Sequence, residues 1–495
     1  MKVVRFFGVA LSLCWVSLLS AAPWVDTSDI YLRSDIQALA DAGVITVPTN
    51  TFPLMWSGIG ADLAKVEPEL LTPSLTQAFA RVNFYYRNAV RNRGNTSIQA
   101  TVATDPARFQ HFGSDYREQG EVVVTHEYMG TRFAAKGVVS ANYDPQDDKE
   151  IRFDGSYLAG VFGNWIVTAG AIEQWWGPGF DAALHKSNNA RPMTSLTVSR
   201  NNASAFETPW LSWIGPWTLT TGLSIQEAER AVPKALVWNF RSSIRPIKQI
   251  ELGVSWTTQF CGEGQDCGWG SWLDAVSGDA GCPDGASSCA PSEQTNLGNQ
   301  QSGFDIRYSD LWLGLPIGLY LEYTCEDTDG DAWGLQDCGN LMGADTRFHL
   351  AKQQYKLFFE YSNTQVNCDS SATAYNCFYE DERYQSGARY YQRALGSTYD
   401  SDARTYVLGL VGQFSNSHGL TALMRYAELN RDGTRSVSTW APQLSQEDLL
   451  MLELAYRMPV WHGMLTLGAT AYRSEFVTGT TETDGTFFSR YEYRF

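Results

Sequence analysis

From about residue 96 to the carboxyl terminus, apolar and polar residues alternate with a period of two. Leu357 and Phe359 share one face of such a segment, for example, and Lys356 lies on the other. Successive strand residues point to opposite faces, and about ten residues of alternation is the pattern of a transmembrane strand. We count about eighteen such segments. The pattern therefore predicts an all-β, antiparallel transmembrane barrel of about eighteen strands in the bacterial outer membrane.

The end of the chain follows the same rule. Tyr491, Tyr493 and Phe495 alternate with charged residues, in a segment that stops at its terminal Phe. Aromatic residues make up 13% of the whole chain, which fits the aromatic girdles that barrels place at both membrane interfaces. This ending is typical of outer-membrane barrels.

Short and long connections alternate between the predicted strands. Short links near Pro246, Leu313, Gln353, Asn416 and Trp461 alternate with long links at about 260–301, 325–343, 365–403, 429–447 and 474–485. Outer-membrane barrels have short periplasmic turns and long extracellular loops. A soluble β-sandwich has no reason to sort its loops in this way, so the alternation favours the barrel.

The chain before the barrel has a different period. Residues 1–22 have the features of a secretory signal peptide, with two basic residues, an apolar run and small residues at its end. Residues 23–95 predict a small periplasmic α-helical domain. Its first helix would run from Ser28 as N-cap to Gly43, and its second would begin with Thr72 as N-cap and Pro73 at the first helical position.

Within the predicted barrel, residues 96–495, strand alternation fails at about 174–217. This stretch is rich in Trp, Asn, Gly and Pro. An eighteen-stranded barrel has a lumen too wide for wall side chains to fill. We therefore expect this stretch to fold into the lumen as a plug.

Charge and cysteine content narrow the function. The formal net charge is -17, and it would be -19 after loss of Lys2 and Arg5 with the signal. Nucleic-acid binding needs a basic face, so we expect no nucleic-acid partner. Eight cysteines would enter an oxidising compartment, where disulfides form. Their order favours local pairs: Cys261 with Cys267, Cys282 with Cys289, Cys325 with Cys338, and Cys368 with Cys377.

Several motifs together are similar to those of the Wzi family of capsule assembly proteins. They occur in the family's order: Leu32-Arg33-Ser34-Asp35-Ile36, Ala40-Asp41-Ala42-Gly43-Val44-Ile45, Glu173-Gln174-Trp175-Trp176-Gly177-Pro178-Gly179, Ser187-Asn188-Asn189-Ala190-Arg191-Pro192 and Phe206-Glu207-Thr208-Pro209-Trp210-Leu211. Phe52 stands where the family pattern has Trp. The resemblance implies an eighteen-stranded barrel with a periplasmic helical domain, and a surface lectin that binds capsular or exopolysaccharide and organises its attachment.

Candidate sugar-binding residues lie in the stretch that breaks the strand pattern. Aromatic rings stack on the apolar faces of sugars, and Asn, Glu and Arg bond their hydroxyl or carboxylate groups. The candidates are Trp175, Trp176, Asn188, Asn189, Arg191, Arg200, Asn201, Glu207, Trp210 and Trp213. The alternative for each is a structural role, packing and hydrogen-bonding a plug inside the barrel.

Other functions find less support in the sequence. Asp327, Asp329 and Asp331 form a weak candidate for calcium, although a solvated acidic loop explains them as well. We find no HExxH, GxSxG or phosphate-binding glycine motif, and we expect no enzyme and no cofactor. The main alternative is a porin for small solutes or glycans. We expect a monomer whose partners are polysaccharide and outer-membrane lipid.

Overall fold

The computed structural model describes residues 23–90, 94–265, 267–277, 298–326, 338–351, 353–366, 378–381, 384–414, 416–433 and 445–495. The predicted signal peptide therefore lies outside the described residues. The helices are α1 (Ile30–Asp41), α2 (Trp56–Leu63), α3 (Pro73–Ala89) and α4 (Trp269–Ser277). The strands, in chain order, are β1 (Trp24–Val25), β2 (Thr51–Phe52), β3 (Leu54–Met55), β4 (Asn95–Ala103), β5 (Gly120–Met129), β6 (Phe133–Tyr143), β7 (Ile151–Arg152), β8 (Tyr157–Phe162), β9 (Trp165–Ala171), β10 (Trp175–Trp176), β11 (Thr194–Arg200), β12 (Trp217–Ile225), β13 (Leu236–Ile247), β14 (Ile250–Phe260), β15 (Asn299–Trp312), β16 (Leu315–Glu326), β17 (Cys338–Leu350), β18 (Gln353–Asn363), β19 (Arg389–Tyr390), β20 (Arg393–Ala394), β21 (Ala403–Gln413), β22 (Gly419–Leu429), β23 (Glu447–Val460), β24 (Gly463–Phe476) and β25 (Thr481–Arg494).

The strands β4–β9, β11–β18 and β21–β25 form one closed antiparallel barrel, in which β25 pairs with β4. The short strands β7 and β8 both pair with β6 and make one interrupted wall strand. Counted in this way, the barrel has eighteen strands, and the predicted fold class is confirmed. Both ends of the barrel sequence lie on the same side, since Phe495 N donates to Thr96 O at 2.9 Å.

One end of the barrel carries short turns, such as residues 248–249, 313–314 and 461–462, and we call it the short-turn end. The other, the long-loop end, carries the connections 104–119, 172–193 and 364–402. The alternation predicted from the sequence is therefore present. The long link predicted at 474–485 is wrong, because β24 and β25 pair through Glu475 and Thr481 and leave a four-residue turn at 477–480.

The two faces of the wall have opposite chemistry. Leu158, Leu196 and Phe359 are among the large apolar side chains exposed on the outside, whereas Arg241 and Lys356 are buried inside. In the described part of the chain, no helix has the length and apolar character needed to cross a bilayer. An apolar outer belt around a polar interior is the chemistry of a barrel in the bacterial outer membrane, and the chain is such a barrel.

The helices that precede the barrel lie largely where the sequence predicts them. Helix α3 begins at Pro73 with Thr72 as N-cap. The N-cap of α1 is Asp29, not the predicted Ser28, because the Asp29 carboxylate accepts hydrogen bonds from Tyr31 N at 2.9 Å and Leu32 N at 3.0 Å. Gly43 follows α1 with a φ of 77°, as expected of a residue that ends a helix.

Two of the four predicted disulfides lie in the described residues and are confirmed, Cys261–Cys267 and Cys325–Cys338. Both lie at the long-loop end, after β14 and between β16 and β17. The pairs Cys282–Cys289 and Cys368–Cys377 are predicted on residues outside the described part.

Peptide mapping of the unreduced protein by mass spectrometry should find all four cysteine pairs closed within their own loops. Each closure is short, so the chain-entropy estimate gives about 2 to 3 kcal/mol for each bond, confined to its own loop. A bond between two different long loops would overturn the predicted pairing of the remaining cysteines.

Candidate functional site

The lumen of the barrel is filled by a plug, which we define as residues 26–63, 172–193 and 384–402. Its segments bond to one another: β10 pairs with β2, and Ser187 N donates to Leu395 O at 2.8 Å. The Asn189 side chain donates to Ala394 O at 2.9 Å. Of the segment at about 174–217 that the sequence predicts to fold into the lumen, residues 172–193 lie in this plug. The rest of the prediction is wrong, because residues 194–200 form wall strand β11 and residues 201–216 connect β11 to β12 at the short-turn end. Two other parts of the chain join residues 172–193 in the plug.

Glutamates on the wall hold the backbone of the plug. Glu360 on β18 accepts hydrogen bonds from Phe180 N at 2.5 Å and Asp181 N at 3.0 Å. Glu322 on β16 accepts from Leu184 N at 2.7 Å and His185 N at 3.1 Å. A buried carboxylate and a buried N–H are both costly when unpaired. These contacts pair the buried N–H groups of the plug with carboxylate oxygens of the wall, and so they fix the plug to the wall.

Two of the sequence motifs, the one that contains Arg33 and the one that runs from Glu173 to Gly179, meet inside the plug. Arg33 on α1 is buried and donates to Gly179 O at 2.8 Å and Pro178 O at 3.0 Å. Its guanidinium lies 4.0 Å from the centre of the Phe180 ring. Burial lowers the pKa of Arg33 to about 9. The Trp175 indole also donates to Gly179 O, at 3.0 Å, so both motifs close the same turn.

Trp175 and Trp176 have 0% and 1% of their surface exposed, so a polymer outside the plug cannot reach them. The Trp176 ring stacks on His185 with ring centres 6.0 Å apart. The Lys186 ammonium lies 4.8 Å from the centre of the Trp176 ring and donates to the Gln174 side chain at 2.8 Å. These two tryptophans are packed inside the plug, and any part they have in binding stays a prediction.

Burial lowers the pKa of Lys186 to about 7, whereas an unfolded lysine titrates near 10.4. Below pH 7 the folded protein carries a buried charge, which costs stability. As pH rises from about 7 to about 10, the folded state holds fewer protons than the unfolded state, so stability rises with pH through this group.

Lys186→Met should therefore stabilise the plug most below pH 7. The gain over the wild type should shrink by about 1.4 kcal/mol per pH unit between about pH 7 and 10. Urea titration followed by near-ultraviolet circular dichroism at pH 6, 8 and 10 measures the unfolding free energy of both proteins. The titration of groups that both proteins share cancels in the difference between them. A gain that is constant across this range would refute the account of Lys186.

Asn188, Asn189 and Arg191 lead from the plug to the long-loop end. The Arg117 guanidinium donates to Asn188 O and Asn189 O, each at 2.6 Å. Arg191 donates to both carboxylate oxygens of Asp154, at 2.7 and 3.0 Å, and to Asp147. Burial lowers the pKa of Arg191, but these carboxylates outweigh burial and hold it above the usual range.

A group of side chains at the long-loop end combines aromatic and charged chemistry. We call Arg191, Lys149, Tyr390, Tyr391, Asp147 and Asp154 the mouth cluster. The Arg191 guanidinium lies 4.9 Å, and the Lys149 ammonium 5.6 Å, from the centre of the Tyr391 ring. The rings of Tyr390 and Tyr391 meet edge to face at 4.7 Å.

The hairpin of β19 and β20 carries these two tyrosines, Tyr390 at the end of β19 and Tyr391 in the turn. Tyr391 and Gln392 have φ values of 46° and 64°, which make the turn tight, and Gln392 is exposed. Asp154 keeps 28% of its side chain exposed, and Lys149 keeps 37%. A half-buried aromatic pair beside accessible carboxylate and ammonium groups can stack on the apolar face of a sugar and bond its hydroxyls.

The remaining predicted site residues lie at the opposite end of the barrel. Arg200 ends β11 and lies 3.6 Å from the centre of the Trp217 ring. Asn201, Glu207, Trp210 and Trp213 follow in the connection to β12, and Trp210 and Trp213 are 72% and 66% exposed there. The seven residues of β11 span about 23 Å, which separates this group from the mouth cluster.

The sequence reading missed most of the mouth cluster. Tyr390 and Tyr391 fall in the segment predicted only as a long loop, and Asp147 and Asp154 flank β7. The sequence feature that could have identified these tyrosines is a pair of adjacent tyrosines beside arginines in a long loop.

In the described part of the chain, no group of three or more His, Cys, Asp or Glu side chains could hold a metal ion. The calcium candidates Asp327, Asp329 and Asp331 lie outside the described residues.

Comparisons with known proteins give consistent matches. A family model described as capsule assembly protein Wzi matches residues 89–487. A curated Klebsiella pneumoniae relative, described as an uncharacterized 55.8 kDa protein in the cps region, is 28% identical over 334 residues. That alignment covers 66% of this chain and 64% of the relative, so the chain matches less than two thirds of its length.

A solved structure of Wzi from Escherichia coli has the same fold. It is described as an outer membrane protein involved in group 1 capsule assembly and as a carbohydrate-binding β-barrel. The match has a TM-score of 0.79 at 23% identity and covers 94% of this chain and 98% of that one.

Proposed function

The chain belongs to the capsule assembly protein Wzi family, and on this premise we propose that it is a lectin of the outer membrane. It binds capsular or exopolysaccharide and organises the attachment of that polymer at the cell surface. The long-loop end faces the outside of the cell, and the short-turn end, where α3 lies, faces the periplasm. The protein acts as a monomer among outer-membrane lipids and binds its polymer without cleaving it.

The observation that carries this proposal is the mouth cluster. Tyr391 offers an aromatic surface, and Asp154 and Lys149 offer an acceptor and donors beside it. Arg191 is fixed by two carboxylates, so the platform is organised before a ligand arrives. A preorganised site loses less entropy on binding.

The plug supports the same proposal. Trp175, Phe180 and Leu184 are fully buried inside the barrel, and wall glutamates hold the plug backbone. A polymer is therefore held at the mouth of the barrel. Asn188 and Asn189 connect this buried base to Arg191 and support the platform from below.

Deletion of the gene in the host should move surface polymer from the cell pellet to the culture supernatant, with total polymer unchanged. Expression of the intact protein should restore attachment. If the deleted strain keeps its polymer attached, the proposed function is wrong. If it makes less polymer in total, the protein acts in synthesis or export and not in attachment.

A further inference from the structure

The connection between β11 and β12 differs from the other connections at the short-turn end. It has sixteen residues, 201–216, whereas the others there have two to five. We call residues 201–216 the aromatic connection. It contains one phenylalanine and two tryptophans, and Glu207 is its one charged residue. The proposed polysaccharide site lies at the other end of the barrel and makes no use of it.

The strand ends that carry the aromatic connection turn their side chains to the outside of the barrel. In β11, Leu196 is exposed on the outer face and Thr197 is buried inside, so strand alternation puts Arg200 on the outer face. In β12, the exposed Leu223 puts Trp217 on the same face. The Arg200 guanidinium lies 3.6 Å from the centre of the Trp217 ring, as this alternation requires.

The aromatic connection folds back onto this outer face. Arg200 donates to Ser204 O at 2.9 Å and to Trp217 O at 2.8 Å. The Phe206 ring stacks on the Trp217 ring, with ring centres 4.8 Å apart. Ser204 and Phe206 therefore lie against the lipid-facing side of the wall and not beneath the lumen.

The next residues form a compact turn that displays two tryptophans. Thr208 O accepts a hydrogen bond from Leu211 N at 2.9 Å, and Ser212–Ile214 form a 3-10 helix that packs against β13. Trp210 and Trp213 are both exposed. Backbone polar groups must be paired within the protein where lipid replaces water. The internal hydrogen bonds of this turn meet that condition at the edge of a bilayer.

The surface around the aromatic connection belongs to the apolar outer belt. Trp165 of β9 pairs in register with Arg200 and is exposed, as is Ile247 at the end of β13. Trp312 and Trp461 are exposed at the same end of the barrel. Exposed tryptophans at the end of a barrel wall form the girdle that contacts the membrane interface. Because the aromatic connection continues this surface and carries a single charge, the occupant that fits it is lipid.

We propose that residues 206–214 form a lipid-binding anchor at the membrane interface of the short-turn end. The side chains of Trp210 and Trp213 enter the headgroup region of that leaflet. An indole ring suits this level because its body is apolar and its N–H group can donate to a polar headgroup. This surface is separate from the mouth cluster, and the proposal does not depend on polysaccharide binding.

Spin labels on single cysteines test the anchor. Trp210→Cys and Trp213→Cys are made in the full-length protein and reconstituted in vesicles of phosphatidylethanolamine and phosphatidylglycerol. Molecular oxygen concentrates in lipid and a charged nickel chelate stays in water, so oxygen should collide with both labels more often than the chelate does. Leu158→Cys on the outer face of β8 is the lipid control, and Thr478→Cys in the turn 477–480 is the water control.

The parent protein without an added cysteine gives the background labelling, and heat-modifiable migration on gels checks that each variant is folded. Ser212→Cys, also exposed in the same turn, replaces a variant that does not fold and should give the same result. The proposal is overturned if the chelate collides more often than oxygen at positions 210 and 213, as it should at position 478. Labels that neither reagent reaches would indicate contact with protein and would also overturn it.

Discussion

Replacement of Arg425 by alanine is expected to lower the free energy of unfolding by about 3 to 5 kcal/mol. Arg425 on β22 is fully buried and joins the plug to the wall, with Asp181 at 2.8 Å and Glu453 at 2.6 Å. Its loss leaves two carboxylates in the barrel interior with one cation fewer. The remaining partners are Tyr399, which donates to Asp181 at 2.6 Å, and His111, which lies 3.2 Å from Glu453.

Urea titration at neutral pH, followed by near-ultraviolet circular dichroism, measures this effect. The matched control is Arg473→Ala on β24, since Arg473 pairs with Glu475 at 2.5 Å but is 60% exposed. A surface pair of this kind contributes at most about 1 kcal/mol. Equal losses in the two variants would show that Arg425 does not tie the plug to the wall.

Tyr391→Ala should weaken binding of the surface polymer at least tenfold, which corresponds to about 1.4 kcal/mol. Tyr391 supplies the aromatic surface of the mouth cluster, and its removal also frees Arg191 and Lys149 from the ring. Tyr390→Ala should have a smaller effect, because that ring meets Tyr391 at its edge. Polymer retained on cells and the affinity of the purified protein should fall together.

Tyr128→Ala is the control for this experiment, since Tyr128 is 55% exposed on the outer face of β5. It should retain polymer normally. Arg191→Ala should resemble Tyr391→Ala, whereas Trp176→Ala should act through stability, because a buried tryptophan costs about 3 to 5 kcal/mol to remove. Normal binding by a well-folded Tyr391→Ala/Arg191→Ala variant would move the site away from the mouth cluster.

The barrel was predictable because its signal is repeated in every strand. Alternation at residues such as Lys356 and Phe359 follows from the two environments of the wall, water or plug inside and lipid outside. Helix α3 was predictable from Thr72 and Pro73. Helix α2 was not, because Gly58 and Gly60 lie within it and weaken its helical signal.

The candidate site was predictable only in part. The segment from Trp175 to Arg191 stood out because it breaks the strand pattern, and it does enter the lumen. The segment from Arg200 to Trp213 stood out for the same reason, but β11 carries it to the other end of the barrel. Contacts such as that of Arg191 with Tyr391 join residues 200 positions apart, so no pattern in the local sequence predicts them.

The most direct test of the central claim is equilibrium binding of the purified barrel to the surface polysaccharide of its own host. The account predicts saturable binding by the wild type, unchanged binding by Tyr128→Ala, and binding at least tenfold weaker by Tyr391→Ala. Absence of binding by the folded wild-type protein, or equal binding by Tyr391→Ala, would contradict it.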